Sequence, residues 1–201
     1  MSKPELLNSE VAISNPWTKI VKEDLKFSSG NQGEYLIVER EMALMIIVLH
    51  LVDGQYFTYI VEQYRYPINQ KIWQFPMGTN EEGKDMAEHA KQELKEETGL
   101  VVGGLIKVGE YFVDPGLSRQ KCTVFIAEDV VSQGEQELEE TEQGMIVKRV
   151  SLNELNQMVL NGLLADSWGY VANYFINEYL KDKLKSRQKA MFLIYPFDVC
   201  S

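Results

Sequence analysis

Residues 78–100, GTNEEGKDMAEHAKQELKEETGL, carry the side chains best suited to chemistry. Glu93 and Glu97 stand one helical turn apart, and Glu96 sits between them on the outer side. Carboxylates at that spacing repel one another, more strongly beside a low-dielectric core, unless a cation lies between them. Oxygen ligands with no cysteine or histidine cluster beside them suit Mg²⁺, with Mn²⁺ as a substitute, rather than zinc. The competing description is a solvated acidic face, with Lys91 and Lys95 interleaved among the glutamates.

A helix must hold these groups, and its limits are written in the sequence. Asp85 is suited to cap it, residues 86–98 contain neither glycine nor proline, and Gly99 suits the left-handed residue just past a helix end. Ala87, Ala90 and Leu94 form one apolar stripe that should face the core, with Glu93 and Glu97 at its edge. His89 reads as a surface histidine of the same helix, and His50, in an apolar run, as a core one. Just upstream, Trp73-Gln74-Phe75-Pro76-Met77-Gly78 reads as a short strand ended by the proline and turned by the glycine, bringing the Met77 carbonyl toward the helix carboxylates.

Around this centre the chain alternates strand and helix signals. Residues 1–15 are polar and unpatterned, the composition of a loose arm. Residues 17–27 and 35–40 predict two strands around the turn-rich SSGNQG, a hairpin that must lie on its own domain or on a partner. Residues 42–52 and 56–63 flank Asp53-Gly54, the strongest hairpin signal of the chain. Strands follow at 101–111 and 121–128, then an acidic loop at 131–143 with Glu135, Glu137, Glu139, Glu140 and Glu142, then a strand at 145–150. Ser151 caps a helix to Leu160, and Asp166 or Ser167 caps another to about Lys183. In that last helix Tyr170, Tyr174, Ile176 and Tyr179 mark a face expected to enter the core. The implied organisation is an N-terminal arm and hairpin (1–40), a main domain (41–188) and an apolar tail (189–201).

With 201 residues, 45% hydrophobic and 25% charged, the chain fits one domain with a sizeable core. A net charge of −10 argues against a nucleic-acid backbone or an anionic membrane as the main partner. Two cysteines, Cys122 and Cys200, make neither a disulfide framework nor a thiolate zinc site, so a reduced cytoplasmic setting is expected. The start has no apolar segment of signal-peptide length, and the run at 43–52 is too short to span a bilayer.

The spacing of Gly78, Glu93, Leu94, Glu96, Glu97, Gly99 and Leu100 resembles the signature of the Nudix hydrolases, in register. Two positions depart from it: Lys84 stands where the first glutamate belongs, and Gln92 where an arginine belongs, so only a neutral hydrogen bond is available to orient the carboxylates there. The run VEQYRYPINQKIWQFPMG and the Pro115-Gly116-Leu117-Ser118 loop resemble the ADP-ribose pyrophosphatase and nucleoside-diphosphate-sugar hydrolase branch. That resemblance implies an α+β fold, an α/β/α sandwich around a mixed β-sheet with an N-terminal β-hairpin extension that exchanges between subunits of a homodimer.

It also implies that the Met77 carbonyl, Glu93, Glu97 and Glu142 hold Mg²⁺, that Glu96, Glu97 and a loop glutamate, Glu140, serve catalysis, and that Ser118 contacts substrate. Arg65 suits substrate phosphates through its guanidinium fork, or forms a surface ion pair. Trp73, Tyr64 and Tyr66 are candidates for stacking on a base, or pack in the core. The reaction implied is hydrolysis of a nucleoside diphosphate joined to another group, such as ADP-ribose or a sugar nucleotide. Two other readings stay open: a catalytically weak or inactive nucleotide-binding module, motivated by Lys84 and Gln92, and a scaffold that uses the acidic loop and apolar tail.

Overall fold

The computed structural model describes residues 2–16, 18–80 and 83–194. It opens with an antiparallel meander of β1 (Glu5–Ser14), β2 (Lys19–Lys26) and β3 (Gln32–Glu39). The arm expected to be loose is therefore a strand, paired along its length with β2. Every residue of β1 is exposed, so no face of it is buried within the chain to impose the regular alternation of a half-buried strand.

The centre is built on β4 (Met42–Val48), in which six of seven residues are buried. Ala43, Met45 and Ile47 face one core with Leu155, Met158, Ala172 and Ile176. Leu44, Ile46 and Val48 face a second core with Ala90 and Leu94. A strand buried on both faces reads as an unbroken apolar run, which is why no alternation was visible in it. The chain then changes sheets at Leu49, whose N–H reaches the Ala127 carbonyl at 2.7 Å. Consequently the single strand expected over 42–52 is two, and β5 (His50–Val52) pairs with β6 (Gln55–Arg65).

After β6 come β7 (Gln70–Gln74), β8 (Met77–Asn80), α1 (Met86–Thr98), β9 (Leu100–Val102) and β10 (Ile106–Phe112). The strand expected over 101–111 is broken at Gly103-Gly104, because β9 pairs with one sheet neighbour and β10 with another. There follow β11 (Lys121–Ala127), β12 (Val130–Gln133), a single 3₁₀ turn at Glu140–Glu142, β13 (Ile146–Ser151), α2 (Leu152–Leu160) and α3 (Ser167–Ile194). The acidic stretch thus begins as a strand on β9 rather than as loop throughout.

One sheet has the order β10-β11-β4-β8, with β11 and β4 parallel and the other pairs antiparallel. The second joins β13, β6 and β5, with β7 also on β6. With α1 on one core and α2 and α3 on the other, the layers are the α/β/α sandwich around mixed sheet that was expected. In α3 the inward residues are Ala172, Ile176 and, half-buried, Tyr179, while Tyr170 and Tyr174 are exposed. Of the expected aromatic face, only its second half therefore enters the core. The apolar tail from residue 195 onward, with Cys200, lies outside the described residues. No helix among the described residues is long and apolar enough to cross a membrane.

The meander reaches the main domain through the Pro115-Gly116 loop. Val38 N–H donates to the Leu117 carbonyl at 2.9 Å, and Ser118 Oγ donates to the Val38 carbonyl at 2.8 Å. Arg119 spans two strands, with 2.7 Å contacts to Glu23 and to Glu39.

Candidate active site

The helix that carries the glutamates is fixed at both ends. Asp85 Oδ1 accepts the N–H groups of Ala87 and Glu88, each at 3.0 Å. Gly99 has φ 71°, and its N–H reaches the Lys95 carbonyl at 2.7 Å. A Cβ at Gly99 would lie 2.2 Å from the Gly134 carbonyl oxygen, so the residue serves both the left-handed turn and a close backbone approach.

Ala90 and Leu94 are wholly buried, and they pull the edge of the helix inward with them. Glu97 is 4% exposed, and its Oε2 accepts the Met77 N–H at 2.9 Å. Burial raises the Glu97 carboxyl well above its ordinary range, Glu142 and Glu93 add to this, and the Met77 N–H and Arg65 act against it. The backbone of β8 thus meets the helix at Met77, whose N–H makes the direct hydrogen bond.

Glu93 lies beside Gly78 so closely that a Cβ there would be 2.3 Å from its Cγ and Cδ. Burial, then Glu96, Glu142 and Glu139, push Glu93 up to about 7, and Lys84 acts against them. Lys84, the charge-reversed position of the signature, therefore acts on Glu93 electrostatically. Gln92 Nε2 donates to Glu96 Oε1 at 2.8 Å, a neutral hydrogen bond on an exposed side of the helix.

His89 departs from expectation. It is 8% exposed, and its Nε2 lies 3.3 Å from Glu93 Oε1. The cause is its position four residues before Glu93, on the same helical edge; that spacing was legible in the sequence. His50 is half-buried, with Nδ1 3.3 Å from the Tyr59 hydroxyl.

Of the loop glutamates, Glu142 and Glu139 are felt by Glu93, and Glu142 by Glu97 and Arg65 as well. Glu139 and Glu142 cap the 3₁₀ turn reciprocally, and Glu140 lies on that same turn, exposed. Glu139 was passed over in the sequence because nothing local distinguishes it from its acidic neighbours.

Arg65 ends β6, partly buried, and its Nε–H donates to Gln74 Oε1 at 2.6 Å. Burial lowers its pKa, while Glu97, Asp166 and Glu142 hold the charge in place. Its direct partner is thus Gln74 rather than a surface carboxylate. Trp73 is half-buried against the core, with Lys148 Nζ 5.9 Å from its ring centroid. Tyr64 and Tyr66 are exposed, Tyr64 donating to Asn69 Oδ1 at 2.6 Å. Ser118 is committed to backbone: besides donating to Val38 its hydroxyl accepts the Gln120 N–H at 3.0 Å, so within one chain it ties the meander down instead of facing the carboxylates.

Between meander and main domain runs a cleft of about 450 Å³, lined by Thr18, Glu39, Arg40, Met42 and Asn80 among others. Arg40 acts electrostatically on Arg65, and Asn80 ends β8, the strand whose Met77 and Gly78 meet the glutamates of α1.

Among the described residues, no three His, Cys, Asp or Glu side chains converge to cage a metal ion. Magnesium does not require such a cage, since it is ordinarily held by one or two carboxylates, with water and substrate phosphate completing its shell. Two all-oxygen side chains, desolvated and mutually repelling, fit that kind of ion.

The NUDIX domain model matches residues 42–171. The ADP-ribose pyrophosphatase of Bacillus subtilis (strain 168) is 27% identical over 167 residues, covering 83% of this chain and 87% of that protein. The methanol dehydrogenase activator of Bacillus methanolicus is 22% identical over 181 residues, covering 90% of this chain and 95% of its own length. A crystal structure of an ADP compounds hydrolase superposes with a TM-score of 0.77 at 21% identity, covering 91% of this chain and 97% of the other. With the signature helix, the layered fold and a family match over most of the chain in agreement, the protein belongs to the Nudix family of pyrophosphohydrolases, and among its members resembles the ADP-ribose pyrophosphatase branch.

Proposed function

We propose that the protein hydrolyses a nucleoside diphosphate linked to a second moiety, ADP-ribose or a nucleotide sugar, to a nucleoside monophosphate and a sugar phosphate, with Mg²⁺ as cofactor. The observation that carries this reading is the pair Glu93 and Glu97, desolvated on one edge of α1 against the Met77-Gly78 backbone, with the Arg65 charge acting on Glu97. Similarity to the ADP-ribose pyrophosphatase of Bacillus subtilis supports the substrate class.

In this reading Glu93 and Glu97, with the Met77 carbonyl and Glu142, would hold the ion. Bound there, Mg²⁺ would supply Lewis acidity toward the diphosphate oxygens and lower the pKa of water. Arg65 engages a phosphate through its unused guanidinium N–H groups. Glu96, held by Gln92, orients the attacking water, and a carboxylate of the 139–142 turn, with Glu140 the first candidate, accepts its proton. The cleft beside Arg40 receives the nucleoside, and Trp73 is the candidate for stacking on its base. Ser118 enters as a residue that fixes the loop. The exposed apolar side chains of the meander, Leu6, Val11, Ile13 and Leu36, support a homodimer formed through it.

A thermal-shift screen of ADP-ribose and sugar nucleotides with and without Mg²⁺, followed by assay of monophosphate release, tests the proposal. Turnover should need Mg²⁺, and Glu97→Gln should reduce it by roughly 100-fold or more at unchanged fold. Binding without Mg²⁺-dependent turnover would favour instead the inactive binding module that Lys84 and Gln92 suggested.

A further inference from the structure

Arg65 is not oriented by a carboxylate in direct contact. Its Nε–H donates to the Gln74 side-chain carbonyl at 2.6 Å, and the Gln74 amide N–H donates to Asp166 Oδ2. Asp166 comes from the N-terminus of α3, 92 residues further along the chain, where its other oxygen accepts the Gly169 N–H at 2.8 Å.

The direction of these hydrogen bonds is dictated by chemistry. An arginine Nε–H can only donate and a carboxylate can only accept, so Gln74 must turn its oxygen to Arg65 and its nitrogen to Asp166. Flipping the amide would set donor against donor and acceptor against acceptor. Gln74 is 5% exposed, so such a mismatch would find little water to relieve it. The guanidinium is thereby held at Nε, and the charges of Glu97, Asp166 and Glu142 act on it.

We propose that Asp166 is a positioning residue for Arg65: acting through the Gln74 amide, it fixes the guanidinium for a substrate phosphate and supplies the negative charge that keeps this partly buried cation in place. This rests on the functional reading above for its consequence, but not for the linkage itself. The same carboxylate caps α3, so the catalytic layer and the helix on the opposite face of the sheet are joined at one side chain.

The test is a set of variants that moves the charge. Asp166→Asn retains an oxygen for the Gly169 N–H, because asparagine caps helices as well as aspartate does, but it sets an amide against the Gln74 amide. Adding Gln74→Glu to Asp166→Asn restores every link: the introduced asparagine donates its amide N–H to the introduced glutamate, and that glutamate accepts from Arg65. The readout independent of substrate is the ¹⁵N–¹H cross-peak of Arg65 Nε, assigned with Arg65→Lys. It should shift or broaden in Asp166→Asn, whose melting temperature should fall by a few degrees because the mismatch is buried, and return as a protected peak in the double variant, whose melting temperature should return toward that of the parent.

In turnover, Asp166→Asn should lose roughly 10-fold in kcat/KM, the size expected for disordering a charge-assisted contact, and the double variant should recover most of it. A cross-peak unmoved in Asp166→Asn, or a double variant no better than the single one, would overturn the proposal and leave Asp166 a helix cap only. If the parent turns over no diphosphate while the cross-peak responds as described, the functional reading fails and the positioning link stands.

Discussion

Replacing Glu93 with glutamine should make the metal-free protein more stable while it removes activity. The carboxyl of Glu93 titrates near 7 in the folded chain against 4.5 for an ordinary glutamate, chiefly because it is desolvated and secondarily because Glu96, Glu142 and Glu139 surround it. Its folded-state pKa is raised, so between 4.5 and about 7 the folded protein binds more protons than the unfolded one, and stability falls as pH rises through that window. Below the window the group is neutral in both states and costs nothing; above it the penalty is complete. At about 1.4 kcal/mol per decade of proton concentration, the full penalty is about 3 kcal/mol. For a chain of this size that corresponds to roughly 6–12 °C in melting temperature.

Glutamine keeps the shape and still offers an oxygen to His89 Nε2, which lies 3.3 Å away. Thermal unfolding of both proteins with EDTA should therefore give a gap near zero at pH 4.5 that opens through pH 7 and then stays constant. Adding Mg²⁺ at pH 8 should raise the melting temperature of the parent and not that of Glu93→Gln. Equal melting temperatures at pH 8, or a gap independent of pH, would refute the assignment of Glu93 as a desolvated, charge-crowded carboxylate.

Gly78→Ala should lower kcat by at least roughly 10-fold and cost about 1–3 kcal/mol of stability, since the new methyl would lie 2.3 Å from Glu93 Cγ and Cδ; parallel kinetics and calorimetry would check both. Ser118→Ala removes the donor to the Val38 carbonyl and the acceptor of the Gln120 N–H. It should cost about 1–3 kcal/mol, and amide exchange in β3 should accelerate at Val38 before it does in β4.

The sequence alone determined the parts of this protein whose physics is local. Asp85 and Gly99 delimited α1 because capping depends on residues within one turn, and Asp53-Gly54 placed the β5–β6 turn for the same reason. The spacing of Glu93, Leu94 and Glu97 fixed which edge of the helix would be half-sunk, because helical geometry is set by the backbone. Three dimensions decided the rest. Whether residues 42–52 make one strand or two depended on two sheets meeting at Leu49. That residues 5–14 form a strand depended on pairing with β2, with no face buried within the chain to announce it. That Ser118 anchors Val38, and that Asp166 reaches Arg65 through Gln74, were contacts between segments 80 and 92 residues apart. Periodicity carries no information about such partners, since a side chain's neighbours across the fold are chosen by how whole layers pack rather than by its own place in the chain.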